Sequence, residues 1–174
     1  MRPRLTAAAL LVALSLGLTA CGMNAPAERI VLPDALRTST TTVDGKPFDA
    51  ATLAGKPALL WFYAPSCETC ATHALRISAW ADVHMGQLHV VGVADPGPDG
   101  ELSRFISSTG ATNFPHLADK GRVLRDRFKV EQADTYVLID KNDSVAFRGN
   151  GTELSTLGRE IAKLAPAAGP GANE

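Results

Sequence analysis

Trp61-Phe-Tyr-Ala-Pro-Ser-Cys-Glu-Thr-Cys70 is the stretch that decides how this chain folds. An apolar strand over Ala58–Ala64 runs into Pro65-Ser66 and then into two cysteines in C-x-x-C spacing. Behind them, Cys70, Ala74, Ile77, Ala81 and Met85 recur at helical spacing with Trp80 beside them, which predicts a helix from Cys70 to about Met85. Three residues is nearly one helical turn, so both sulfurs fall on one face of the first turn. Cys67, the outer cysteine, then lies where unpaired backbone N–H groups and the helix dipole favour a thiolate. A strand that delivers a dithiol to a helix N-terminus points to redox chemistry at sulfur.

Outward from this stretch the chain alternates strand and helix signals. Ala58–Ala64 carries no polar residue apart from the Tyr63 hydroxyl, as expected of a central strand covered on both faces. Upstream, Leu36–Val43 contains a Thr/Ser-rich β-forming run, Asp44-Gly45 is a hairpin turn signal, and Lys46-Pro47-Phe48 starts the return. Ala50–Ala54 reads as a short helical turn closed by Gly55. Downstream, Leu88–Ala94 is a second apolar strand. Leu102, Phe105 and Ile106 mark an amphipathic helix stopped by Gly110, and Val123, Leu124 and Phe128 mark another. Thr135–Ile139 and Ser144–Arg148 pair across Lys141-Asn-Asp143, and Leu154, Leu157, Ile161 and Leu164 give a closing helix. This order implies an α/β fold: a mixed central sheet with helices on both faces and an N-terminal β-hairpin extension. A C-x-x-C beside a βαβ pattern is the signature of a thioredoxin-like redox motif.

The beginning of the chain reads differently. Arg2 and Arg4 precede a nearly unbroken apolar run, Leu5–Ala20, too short to span a membrane comfortably. It reads as an export signal covering residues 1–20. Leu18-Thr19-Ala20-Cys21 resembles a bacterial lipobox, which implies that Cys21 becomes a lipidated first residue; an ordinary secretory signal with an incidental cysteine is the other reading. Residues 21–35 would then be a lipidated terminus and tether, 36–165 one domain of ordinary size, and 166–174 a Pro/Gly/Ala tail. An acyl anchor holds a protein to a membrane without spanning it.

Loss of residues 1–20 removes two arginines, so Lys+Arg falls from 17 to 15 against 18 Asp+Glu, a net charge near −3. No basic stretch is long enough to suggest nucleic acid. With Cys21 assigned to the lipobox, Cys67 and Cys70 are the only candidates left for a disulfide. A bridge enclosing two residues staples little, so chemistry explains it better. Zinc is the alternative use of a C-x-x-C, but it needs two further ligands, and no second Cys/His pair has that spacing; His73 follows Cys70 by one helical turn. His84, His89 and His116 read as surface or edge histidines. Arg122, Arg125, Arg127 and Lys129 read as the solvated side of a short helix.

From about Leu36 to Leu164 the chain resembles extracytoplasmic thioredoxin-like thiol–disulfide oxidoreductases, closest to the exported TlpA-like and DsbE-like lipoproteins of actinobacterial type. The resemblance rests on Thr42-Val-Asp-Gly-Lys46, Gly55-Lys-Pro-Ala-Leu-Leu-Trp-Phe-Tyr-Ala-Pro65 and Cys67-Glu-Thr-Cys70. Val90–Ala94, Phe114–Asp119 and Val130–Ile139 follow in the family's order. It implies that Cys67 is the nucleophile of the mixed disulfide, that Cys70 is the resolving thiol, and that no cofactor is needed beyond the dithiol. The implied partners are exported protein thiols and disulfides and a membrane redox partner, met by a monomer on the extracytoplasmic face of the membrane.

Three departures from the family pattern stand in the site. Ser66 replaces an aromatic residue before the first cysteine. Glu68 and Thr69 separate the cysteines where the family often has Pro first, and a carboxylate beside Cys67 opposes thiolate formation. Asp134, followed by Thr135, takes the place of a cis-proline on the strand facing the dithiol. A cis bond before a non-proline residue costs about 2.5–4 kcal/mol, so a trans peptide is expected there, with a reshaped substrate-docking edge. The Asp134 carboxylate would either raise the thiol pKa by repulsion or serve Cys70 as a general base. Trp61 stands where cytoplasmic thioredoxins keep a buried acid. Besides disulfide exchange, two readings remain open from sequence. One is a thioredoxin-fold binding lipoprotein with little or no exchange activity; the other is a peroxiredoxin-like peroxide reductase.

Overall fold

Six consecutive residues, Ala58–Tyr63, form strand β1, and every one of them is buried. Alternation along the strand divides them between two hydrophobic clusters, one on each face of the sheet. Leu59, Trp61 and Tyr63 pack with Cys70, Ala74 and Ile77 of α2 (Glu68–Val83) and with Leu157 and Ile161 of the C-terminal helix. Ala58, Leu60 and Phe62 pack with Leu36, Leu124 and Phe128 on the other face. A strand with no polar face fits only between two helical layers, and fully burying each large apolar side chain contributes about 1.5–3 kcal/mol.

The computed structural model describes residues 27–37, 41–98 and 100–167. After α1 (Leu32–Leu36), the sheet and its helices follow as β1, α2, β2 (His89–Ala94), α3 (Glu101–Thr109), β3 (His116–Ala118), α4 (Val123–Arg127), β4 (Thr135–Ile139), β5 (Val145–Asn150) and α5 (Leu154–Leu164). The five strands lie in the order β3-β2-β1-β4-β5. β1, β2 and β3 are parallel, β4 runs antiparallel to β1, and β5 runs antiparallel to β4. The expected mixed sheet with helices on both faces is therefore present. The C-terminal end of β1, the site end, meets the start of β4, where Phe62 pairs with Thr135; at the far end Ala58 pairs with Ile139.

Four local expectations are corrected. The packed domain begins upstream of residue 36: Leu32, Ala35 and Leu36 are buried in α1, so Leu36 opens no strand and this part of the expected tether is docked. The hairpin around Asp44-Gly45 reduces to a turn with one antiparallel bridge, Thr41 to Pro47. There the Thr42 hydroxyl occupies the Lys46 backbone, and the Val43 N–H donates to His116 O at 2.7 Å, so the segment lies along the edge of β3 instead of building its own ladder. Met85 is outside α2 and exposed. Arg125 is not on a solvated face: it is 1% exposed and in ion-pair contact with Asp95, and its Nη2 donates to the Tyr63 carbonyl at 3.4 Å.

The histidines also differ from expectation, since His84 and His116 are both buried. His116 Nε2 donates to Ala111 O at 2.7 Å, which leaves Nδ1 as the acceptor of the Tyr63 hydroxyl at 2.9 Å. This gives the one hydroxyl of β1 a partner.

At the other edge, residues 28–30 run beside the β4–β5 turn, with Ile30 N–H donating to Asp143 O and Val145 N–H to Glu28 O, each at 2.8 Å. Arg29 bridges Ser144 antiparallel. The export signal at 1–20, Cys21 and most of the tail at 166–174 fall outside the described residues. Among the described residues no helix is long and apolar enough to cross a membrane.

Candidate redox site at the start of α2

Cys67 is the N-cap of α2, which starts at Glu68, two residues earlier than expected, and its backbone is extended. Its sulfur accepts the Cys70 N–H at 3.1 Å and has the Thr69 hydroxyl 3.4 Å away. A helix N-terminus leaves its first N–H groups unpaired, so an acceptor at the N-cap fills a vacancy the helix itself creates. Cys67 and Cys70 are joined by a disulfide with S–S 2.10 Å and Cα atoms 5.2 Å apart. Cys67 is half-buried whereas Cys70 is 0% exposed, in the cluster of Trp61 and Tyr63. The two sulfurs are thus unequal in access: the outer one can meet another protein, and the inner one cannot.

Glu68 is the first residue of α2 and exposed, where solvent weakens its effect on the neighbouring sulfur. Thr135 is nearly buried and its hydroxyl donates to Gln132 O at 2.9 Å, closing the turn before β4.

Asp134 is the site's distinctive residue. No peptide among the described residues is cis, as expected for the bond before Asp134. Its φ is +61°, a left-handed conformation in which Asp is among the better-tolerated non-glycine residues. It is 4% exposed. Its Oδ1 accepts from the Tyr136 hydroxyl at 2.5 Å and, more loosely, from Trp61 Nε1 at 3.4 Å. Its Oδ2 lies 2.8 Å from His73 Nδ1. Burial, together with this hydrogen bond, pushes the Tyr136 hydroxyl pKa far up, so Tyr136 stays a donor. Gly151 makes the space for this cluster: a Cβ there would overlap the Asp134 carboxylate and come within 2.8 Å of His73 Cε1.

Sequence reasoning placed the cysteines and Asp134 but missed two partners. Thr69 carries no sequence signal beyond separating the cysteines, although a hydroxyl two residues after an N-cap can reach back to it. His73 has its partner 61 residues away in sequence, beyond the reach of any local pattern. The one available signal was its position three residues after Cys70, on the same side of the helix. Among the described residues no group of three or more His, Cys, Asp or Glu is arranged to hold a metal.

Known proteins match this arrangement over most of its length. The AhpC/TSA family model matches residues 28–148. The soluble secreted antigen MPT53 of Mycobacterium tuberculosis is 32% identical over 148 residues, covering 85% of this chain and 82% of its own. The thiol–disulfide oxidoreductase YkuV of Bacillus subtilis is 26% identical, over 63% of this chain and 77% of its own. The crystal structure of a secreted M. tuberculosis disulfide oxidoreductase homologous to E. coli DsbE aligns with a TM-score of 0.63 at 32% identity, over 74% of this chain and 98% of that one. The chain belongs to the AhpC/TSA family and is a thiol–disulfide oxidoreductase of thioredoxin-like fold.

Proposed function

We propose that the protein is held by a lipid at Cys21 on the extracytoplasmic face of the membrane and exchanges disulfides with exported proteins through Cys67 and Cys70. The observation that carries this reading is the unequal pair: a half-buried sulfur at a helix N-cap, bonded to a wholly buried one. Cys67 as thiolate attacks a substrate disulfide, forming a mixed disulfide and releasing one substrate thiolate. Cys70 then attacks Cys67, closing the Cys67–Cys70 bond and releasing the second. The reverse sequence oxidises a substrate dithiol. No cofactor takes part, and a membrane redox partner resets the pair. Export is supported by the relatives described as secreted and by the leader-like residues 1–20. Thr135 and Asp134 border the surface where the substrate chain would dock, and the charges of Glu68 and Asp134 oppose thiolate formation.

The test is turnover of insulin disulfides, with Cys67→Ser as control, together with the reduction potential of the pair. Turnover above the control supports the assignment, and the potential sets direction. A value near thioredoxin's marks a reductase, and a far more oxidising one an oxidase. Absence of turnover above the control favours a binding lipoprotein, a reading motivated by the buried carboxylate of Asp134 at the docking edge. Peroxide consumption without a protein disulfide would instead mark a peroxide reductase.

A further inference from the structure

The redox chemistry proposed for the dithiol leaves one matter open. Cys70 is 0% exposed, and its thiol must lose a proton before it can attack Cys67. Bulk water cannot take that proton directly. We propose that His73, oriented by Asp134, is the acid–base group that takes the Cys70 proton and returns it to the departing substrate sulfur; this rests on the exchange function just described.

The geometry supports it in three ways. His73 follows Cys70 by three residues on α2, so the two side chains are neighbours along one face, with Cβ atoms about 5–6 Å apart. His73 Nδ1 is 2.8 Å from Asp134 Oδ2, and the carboxylate accepts there, so Nδ1 carries the proton and Nε2 keeps its lone pair. Among the described residues Nε2 has no hydrogen-bond partner, and the His73 side chain is 22% exposed, so it can pass a proton between the interior and solvent. Asp134 is in turn fixed by Tyr136 and Trp61, and Trp61 shares the core cluster of Cys70. The carboxylate–histidine unit thus ties the residue leading into β4 to the first turns of α2, with its imidazole one helical turn beyond Cys70.

The step balances within the pair and its substrate. His73 Nε2 accepts the Cys70 S–H proton, directly or through one water. The Cys70 thiolate attacks Cys67 Sγ, the Cys67–Cys70 bond forms and the Cys67–substrate bond breaks. The electron pair leaves on the substrate sulfur, which takes the proton from the imidazolium. The dithiol is oxidised and the substrate disulfide reduced, with no other reactant.

Other ionisable groups near His73 are few. Asp134, just before β4, faces it and carries Tyr136 on its other oxygen, Cys70 precedes it on α2, and the turn at Gly151 contributes only backbone there. Glu68 and Arg76 lie on α2, both exposed, and Glu153 is committed to the Asn150 N–H.

The test uses the reduced full-length protein mixed with oxidised glutathione, following ring closure by tryptophan fluorescence from pH 5 to 9. First-step attack is measured separately in Cys70→Ser. His73→Asn keeps an N–H for Asp134 but has no titrating nitrogen. It should slow closure about tenfold or more at neutral pH and erase one pH-dependent limb, leaving the first step within about twofold. Asp134→Asn, which offers His73 a donor and so reverses its tautomer, should lose the same limb. A wild-type pH profile for closure in either folded variant overturns the proposal, because charge repulsion by Asp134 or packing by His73 needs no titrating ring. Failure of the wild-type protein to close at all would instead refute the exchange function.

Discussion

The Cys70 N–H points at the Cys67 sulfur from 3.1 Å, so the bond partner of Cys67 also caps it. When the disulfide opens, that N–H and the Thr69 hydroxyl 3.4 Å away remain to hold a thiolate. Hydrogen bonds to a charged acceptor contribute about 1.5–3 kcal/mol when well formed, less when exposed. Thr69→Val should therefore slow alkylation of reduced Cys67 by iodoacetamide at pH 7 by about two- to fivefold, whereas Thr69→Ser should leave it unchanged.

Gly151→Ala tests the packing beside the dithiol. Its Cβ would overlap Asp134 and press on His73, both held by hydrogen bonds and unable to swing away freely. A loss of about 1–3 kcal/mol in denaturant unfolding is expected, with a shift of the His73 ring resonances that a distant glycine substitution does not cause.

Arg125→Met removes a buried cation from under the site. Arg125 is 1% exposed, while Asp95 is partly open to water and can recover hydration when its partner is lost. Breaking a buried pair costs about 3–5 kcal/mol, and the exposure of Asp95 lowers that to about 2–3 kcal/mol. Because Arg125 also holds the Tyr63 carbonyl at the end of β1, this variant should react more slowly at Cys67 as well as unfold earlier in urea.

His116 gives stability a pH dependence. Burial pushes its pKa down from 6.5 to about 4. Below 6.5 the unfolded chain binds a proton that the folded one refuses, so stability is complete above that pH and falls as pH drops towards 4. The difference is at most about 3.4 kcal/mol, at about 1.36 kcal/mol per pKa unit. His116→Gln should flatten the slope of unfolding free energy between pH 6.5 and 4 relative to the parent.

How far the sequence could be read depended on the reach of each interaction. β1 and β4 were legible as unbroken apolar runs buried on both faces, and α5 by the helical spacing of Leu154, Leu157 and Ile161, which its partners bury. β3 was not: it has three residues, begins with a histidine and is a strand only because β2 lies beside it. Arg125 looked like one of four surface cations, since nothing local announces that Asp95 and the Tyr63 carbonyl enclose it. At the site, C-x-x-C spacing is a short-range signal and gave both cysteines. The junction of His73, Asp134 and Gly151 joins three separate elements, and only the fold brings them together.

Residues 28–30 are stitched to the β4–β5 turn, at the end of the sheet away from Cys67. β1 has six residues, so the two ends are separated by roughly 20 Å at about 3.3 Å per residue. Any anchor acting through the N-terminus would pull on the pole opposite the dithiol. The domain would then stand on its blunt end, like a lamp on a short stem, with its reactive sulfur turned outward to passing proteins rather than pressed against the surface that carries it.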